Sequence, residues 1–207
     1  MLWDRVAPDR AGCYSGYICE MVSSFDRSEM ICSRRAAATD PAHLHMSKEP
    51  TKDLLKFLKP FPDDVRQRAL WLREFVWDLY PDSNELIYDN YNALAFGWSP
   101  TDRVGHIFCS IAVGRSSHNV HFGFYWGSQI ADPRKILLGA GKQYRYILVE
   151  RTDEFPKAYI KKLLKEAYAN SLAKVKDKKQ LMKGATITKS ISAKKRPAGR
   201  SAMKKSG

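Results

Sequence analysis

One glycine-rich segment carries residues that could bind an anion. Gly139-Ala140-Gly141-Lys142 is followed by Arg145. The glycines permit positive φ angles, so backbone N–H groups and two cations can lie close together. A nucleotide-hydrolysing P-loop is excluded: that motif needs glycine where Ile136 stands, Ser or Thr where Gln143 stands, and a helix afterwards. The pattern predicts a binding site for an anionic ligand or partner formed by Gly139, Gly141, Lys142 and Arg145. A tight turn with two solvated cations is the alternative.

Carboxylates along the longest helical pattern and the strand after it could hold iron. Ferrous iron accepts hard oxygen ligands, and Glu74 and Asp78 have the i,i+4 spacing that places two side chains on one helix face. The predicted iron site consists of Glu74, Asp78, Asp82 and Glu85. Arginines interleave with these acids, so an ordinary solvated, ion-paired face is the alternative. The sequence predicts no cofactor, with iron as the alternative.

No pattern indicates catalysis. His118 and His121 are three residues apart in a predicted strand, which places them on opposite faces of the sheet. Cys109 falls on the apolar row of a strand, where an inert buried thiol is expected. The chain contains no GxSxG nucleophile elbow. We therefore expect a protein that is not an enzyme; an enzyme acting on an anionic small molecule near Lys142 and Arg145 is the weaker alternative.

The net charge of +13 belongs almost entirely to the end of the chain. Residues 51–172 hold 17 basic and 14 acidic residues, whereas residues 173–207 hold 12 and 1. The latter stretch has no aromatic residue and few large aliphatic ones, so it cannot bury enough apolar surface to offset the entropy of ordering. The composition predicts a basic, disordered C-terminal tail over residues 173–207.

Lysines spread along such a tail suit sequence-independent contact with phosphates, driven by counterion release. Without aromatic rings the tail has no stacking platform for single-stranded bases, so duplex DNA or another polyanion is the predicted partner. A solubilising linker is the alternative. The residues predicted to contact nucleic acid are Lys178, Lys179, Lys194, Lys195, Arg196, Arg200, Lys204 and Lys205.

The sequence shows neither a membrane span nor a secretory signal, so a cytoplasmic protein without membrane contact is expected. Residues 1–50 are interrupted by Pro8, Gly12, Gly16 and Pro41, and little stable structure is expected there. Met46 immediately precedes the first good helical pattern. It is therefore a candidate for the natural start, with the upstream part as an overlong gene prediction.

Residues 51–172 are predicted to form one domain, a length close to the most common domain size. Apolar positions first follow a helical period and, from Glu85, an alternating one. Predicted helices cover Thr51–Leu58, the stretch from Pro62 to Leu79, and Glu154–Leu172; predicted strands cover Glu85–Tyr91, Asn92–Trp98, Gly105–Val113, Asn119–Tyr125 and Gln143–Glu150. The order α-α-β-β-β-β-β-α indicates an α+β two-layer sandwich, with helices on one face of a five-stranded, mostly antiparallel sheet.

The other face of that sheet is then open. Alternation along the third and fourth strands assigns it His106, Phe108, His121 and Tyr125, with Ser110 and Gly123 between them. A mixed aromatic and polar face is a candidate binding surface. An ordinary solvated sheet with aromatic pairs is the alternative.

A succession of these motifs resembles the YdhG-like domain family, a widespread bacterial group without an assigned molecular function. The resemblance covers about residues 51–170, and its most specific part is Gly139-x-Gly141-Lys142-x-x-Arg145 after the Asp132-Pro133 turn. The other segments that carry it are Asp53–Pro62, Glu85–Tyr88, Asn92–Phe96, Ile107–Ala112 and Val120–Phe124. The resemblance implies a small α+β domain with a frataxin-similar outline, and some members are described as intracellular iron chaperones. It implies no reaction.

Together these features predict a cytosolic, non-enzymatic binding protein, in which a YdhG-like domain with an unassigned ligand carries a polyanion-binding tail. The competing hypothesis is a frataxin-like iron chaperone that uses the acidic residues of the long helix.

Overall fold

The structure is a computed structural model that describes residues 48–199. The predictions for residues 1–47, including the start at Met46, lie outside the described residues. So do the predicted phosphate contacts of Arg200, Lys204 and Lys205.

Three α-helices form one layer of the fold. Helix α1 spans Lys52–Leu58, α2 spans Asp63–Leu79 and α3 spans Lys157–Ala173. The Thr51 side chain caps α1 by accepting a hydrogen bond from the Leu54 amide at 3.3 Å. Each long helix buries one apolar stripe. The buried positions are Val65, Ala69, Leu72, Arg73, Phe75, Val76 and Trp77 in α2, and Ile160, Leu163, Leu164, Ala167 and Ser171 in α3.

Six β-strands form the second layer, so the fold belongs to the predicted α+β class. They are β1 (Asn84–Asp89), β2 (Ala93–Ser99), β3 (Cys109–Gly114), β4 (Val120–Tyr125), β5 (Tyr144–Leu148) and β6 (Thr186–Ile191). Their spatial order is β5-β4-β3-β2-β1-β6. Strands β1 to β5 pair antiparallel with their neighbours, whereas β6 pairs parallel with β1. The sheet is therefore mixed and has one strand more than predicted.

The sixth strand corrects the prediction that residues 173–207 are disordered, as far as the structure describes them. β6 extends the sheet at β1, and the Ser192 amide donates to the Asp89 carbonyl at 2.8 Å. An edge strand gains its order from a ladder of backbone hydrogen bonds and needs little apolar burial of its own. The β-branched run Thr186-Ile187-Thr188 favours this conformation. Averaging the composition over 35 residues conceals that short run.

The hydrophobic core lies between the helices and one face of the sheet. Ile111, Val113 and Phe122 are fully buried there, and the Phe75 ring of α2 contacts that of Phe122 edge-on at 6.3 Å. Within residues 48–199, no helix combines the length and apolar character needed to cross a membrane.

Candidate functional site

Small residues form the floor of the sheet face that points away from the helices. Trp98 faces the core, where its ring contacts that of Trp77, so Gly97 next to it faces outward. Register pairs Gly97 with Ser110, and Ser110 with Gly123, across three strands. Ala95 and Ala112 pair in the row beside it. Large side chains from the flanking strands can therefore lie over this floor.

Aromatic side chains of β4 and β5 form a wall along this floor. His121 stacks on Tyr146 with ring centroids 4.2 Å apart, and Tyr146 stacks on Tyr144 at 5.9 Å. Tyr125 meets Tyr144 edge-on at 5.7 Å. The rings pack against one another, and each stays partly exposed.

Burial shifts the pKa of three side chains of this wall toward the neutral form. It lowers the pKa of His121 and raises that of Tyr125. Burial likewise raises the pKa of Tyr144 to about 12, against the opposing influence of the Ser110 hydroxyl. Near neutral pH these three side chains are therefore in their neutral forms.

Part of this face is filled by the protein itself. The Tyr144 ring crosses Gly123, and Ile107 lies over Gly97, where a Cβ at residue 97 would come 2.9 Å from the Ile107 Cγ2. Ser110, between the two glycines, is only 4% exposed. The row Gly97–Ser110–Gly123 is thus a packing surface for two large side chains.

Two of the four residues predicted on the open face lie elsewhere. Phe108 is buried and packs between the rings of Tyr80 and Tyr168 on the helix side, at 5.0 and 5.2 Å. His106 belongs to a short 3-10 helix, with its Nδ1 2.8 Å from the Thr101 Oγ1. β3 begins only at Cys109, so the alternation of a strand does not apply to residues 106–108. The structure places His121 and Tyr125 on the open face.

The predicted iron ligands do not come together. Glu85 has no exposed surface and pairs with the Arg73 guanidinium through two contacts, 2.8 Å from Nε and 3.0 Å from Nη2. Thr186 of β6 also donates to the Glu85 carboxylate, at 3.0 Å. A carboxylate enclosed in this way is a structural ion pair and cannot reach a metal at the surface. Its inclusion in the iron site is therefore wrong.

The other three acids predicted for the iron site are exposed, whereas Glu85 is buried. Glu74 and Asp78 lie on the outer face of α2. Asp82 follows the helix and lies 3.8 Å from the Lys183 ammonium. Among residues 48–199, no three His, Cys, Asp or Glu side chains are grouped so as to hold a metal ion.

Several cations of the C-terminal segment, residues 174–199, form ion pairs with acidic side chains of the same protein. Lys195 pairs with the buried Asp89 at 2.7 Å, and Asp89 also pairs with Arg115. Lys189 lies 3.3 Å from an Asp102 carboxylate oxygen. These contacts attach the segment to the end of β1 and to the loop that follows β2.

Four other lysines of the C-terminal segment are exposed and form no ion pair with any described residue. They are Lys176, Lys178, Lys179 and Lys194. The first three precede β6 in the chain and Lys194 follows it, and the six residues of the strand between them span roughly 20 Å. Free positive charge thus lies in the chain on both sides of β6.

The glycine-rich segment forms an exposed loop at the opposite edge. Gly139 has a φ of +98°, a left-handed conformation that favours glycine. Leu138 forms a bridge with Tyr146 before the loop, and β5 begins after it at Tyr144. The structure thus places Gly139, Gly141, Lys142 and Arg145 within one turn and the strand it enters.

Comparison with protein-family models, with curated proteins and with solved structures finds no match to this chain. The resemblance to the YdhG-like family stays a prediction. The function is therefore inferred from the geometry and charge of the described residues.

Proposed function

We propose that this is a non-enzymatic binding protein that contacts a polyanion, duplex nucleic acid being the favoured one, through the sheet edge formed by β6. The observation that carries the proposal is the set of four exposed lysines that form no ion pair with a described residue and that precede or follow this strand in the chain, Lys176, Lys178, Lys179 and Lys194. Free ammonium groups on an ordered support keep their full charge for a partner.

The length of this edge fits a duplex. DNA carries one negative charge per roughly 1.7 Å of helix axis, so a strand roughly 20 Å long faces on the order of ten phosphates. Because backbone hydrogen bonds and the Lys195–Asp89 pair fix residues 186–195, less chain entropy is lost when Lys194 binds than for a free tail.

Duplex is favoured over single-stranded nucleic acid because the C-terminal segment itself supplies no stacking surface. Residues 174–199 contain no Phe, Tyr or Trp. On the open face, the rings of His121, Tyr144 and Tyr146 are stacked on one another. Binding without base stacking depends on phosphate contacts, which carry no sequence information.

The test is the salt dependence of duplex binding by the full chain. In a variant with Lys176, Lys178 and Lys179 changed to Gln, the slope of log K against log salt should become shallower by roughly 3 if all three contact phosphates. The matched control changes Lys161, Lys162 and Lys165 of α3, which are equally exposed. It removes the same charge from another surface.

The control should keep the wild-type slope. If the salt-dependence slope became equally shallow in the two triple variants, only net charge would matter, and the assignment to the β6 edge would be overturned. Wild-type protein that does not bind duplex at low salt would overturn the proposal altogether.

A further inference from the structure

We propose that a small phosphate, free or as a monoester, binds at the β5 edge of the sheet. Its ligands are Arg145 and the loop of residues 139–143. This site is independent of the polyanion edge. β5 and β6 are the two outer strands of a six-stranded sheet, and five strand spacings separate them by roughly 24 Å.

The first observation is an arginine without an acceptor. Arg145 pairs with Phe124 in register, and Phe124 faces the core, so the Arg145 side chain leaves the sheet on the helix side. Its Nε is buried and has no hydrogen-bond partner among the described residues. The guanidinium also forms no ion pair with them. A partly desolvated cation without an acceptor is costly, and a bound anion would compensate it.

The second observation is that packing holds this arginine in place. Gly127 lies so close that a Cβ there would come 2.6 Å from the Arg145 Cβ and 2.8 Å from its Cγ. The Gly127 amide donates to the Gln143 carbonyl at 3.3 Å, and the Ser128 hydroxyl donates to the Lys142 carbonyl at 2.6 Å. The 3-10 helix Gly127–Gln129 thus fixes both the arginine and the loop, and positioning before binding reduces its entropic cost.

The third observation is a supply of further donors. None of the backbone N–H groups of residues 139–143 donates to another described residue, and Lys142 is exposed without an ion pair. An arginine fork alone would satisfy a carboxylate. A phosphate has more oxygens, and the adjoining loop has backbone N–H groups that no described residue engages.

Acids on the neighbouring elements are already engaged. Asp132 accepts from the Tyr159 hydroxyl at 2.6 Å and from the Leu137 amide at 2.9 Å. Glu166 of α3 accepts from the Ala131 amide through both oxygens at 3.1 Å. These carboxylates stabilise the backbone of residues 131–137 and leave Arg145 available to an external anion.

The experiment is calorimetric titration of the full chain with inorganic phosphate, with acetate at the same ionic strength as the comparison. Wild-type protein should bind phosphate saturably and acetate at least about tenfold more weakly. Arg145→Lys keeps the charge but loses the planar fork, so phosphate affinity should fall at least about tenfold. The matched control is Arg134→Lys, an exposed arginine over the Tyr159 ring, which should bind phosphate as wild type does.

Gly127→Ala gives a second variant, since it displaces Arg145 without changing any charge, and it should also weaken phosphate binding. Circular dichroism confirms that each variant is folded. Absence of saturable phosphate binding by wild type, acetate binding of equal strength, or equal affinity in the Arg145→Lys and Arg134→Lys variants would each overturn this proposal. The triple variant of Lys176, Lys178 and Lys179 should bind phosphate normally, so the two proposals can fail separately.

Discussion

Tyr144 lies across Gly123 so closely that a methyl group at residue 123 would overlap the tyrosine hydroxyl. The two residues belong to adjacent strands, and Gly123 pairs in register with Tyr146, two positions along from Tyr144. The ring therefore reaches diagonally over the floor of the open face, next to Ser110. This contact makes the absence of a side chain at residue 123 a requirement of the packing.

Gly123→Ala should destabilise the fold, although alanine normally suits a strand better than glycine does. Overpacking of this kind costs about 1–3 kcal/mol, measured as the free energy of unfolding in urea. Gly105→Ala is the control, because no atom lies within 4 Å of a Cβ there, and it should change stability by less than about 1 kcal/mol. Equal effects of the two substitutions would show that the Tyr144 contact is not made.

Glu85→Gln should be strongly destabilising, because it leaves the buried Arg73 guanidinium without its counter-charge. Loss of one partner of a buried ion pair costs about 3–5 kcal/mol, whereas Glu74→Gln on the exposed face of α2 should stay within about 0.5 kcal/mol. Chemical denaturation of the two variants provides the comparison. If Glu85 were a surface iron ligand, the two substitutions would have similar small effects on stability without iron.

Stability should fall when the pH is lowered through the titration range of His121. Burial lowers the pKa of this histidine in the folded protein, so between the folded and unfolded pKa values the unfolded state binds more protons. When the unfolded state binds more protons, the free energy of unfolding rises with pH. The stabilisation that comes from neutral His121 is therefore complete above about pH 6.5, the ordinary histidine pKa, and is lost as the pH falls below that value.

His121→Phe keeps a ring against Tyr146 and removes the proton-binding site. The free energy of unfolding of this variant, measured between pH 7.5 and 5.5, should depend less on pH than that of wild type. Identical pH dependence in the two proteins would rule out a contribution from His121.

Amide hydrogen exchange should be slower in β6 than in the residues before it. Amide protons that donate across the β1–β6 pairing, and that of Ser192, should exchange roughly a hundredfold or more slowly than those of exposed residues 176–179. Uniformly fast exchange over residues 174–199 would restore the original expectation of a disordered tail.

The elements that could be predicted are those with a strong local period. The stripe Val65–Ala69–Leu72–Val76 identifies α2 and its buried face, and the same kind of stripe identifies α3. α3 starts at Lys157, after Pro156, where Glu154 was predicted. Strand ends are less certain from sequence, since alternation continues past Cys109 into residues 106–108, which the fold turns out of the strand.

The candidate sites were harder to predict than the helices, because they depend on contacts between residues that are far apart in the chain. Glu85 and Arg73 are 12 residues apart, and Thr186 is 101 residues from Glu85. Sequence spacing gives no sign that these groups meet. The same reasoning failed for the C-terminal segment, because its order depends on the free edge of β1, which composition does not reveal.

The sequence by itself determined the α+β class, the amphipathic faces of the long helices and the concentration of positive charge after residue 172, because these are properties of local pattern and composition. Only the tertiary structure decided which charges are free. It buries Glu85 and Asp89 against arginines, uses Lys195 as a structural counter-ion, and leaves Lys176, Lys178, Lys179 and Lys194 exposed. A charge is available to a partner only where the fold supplies no nearer opposite charge, and that depends on packing.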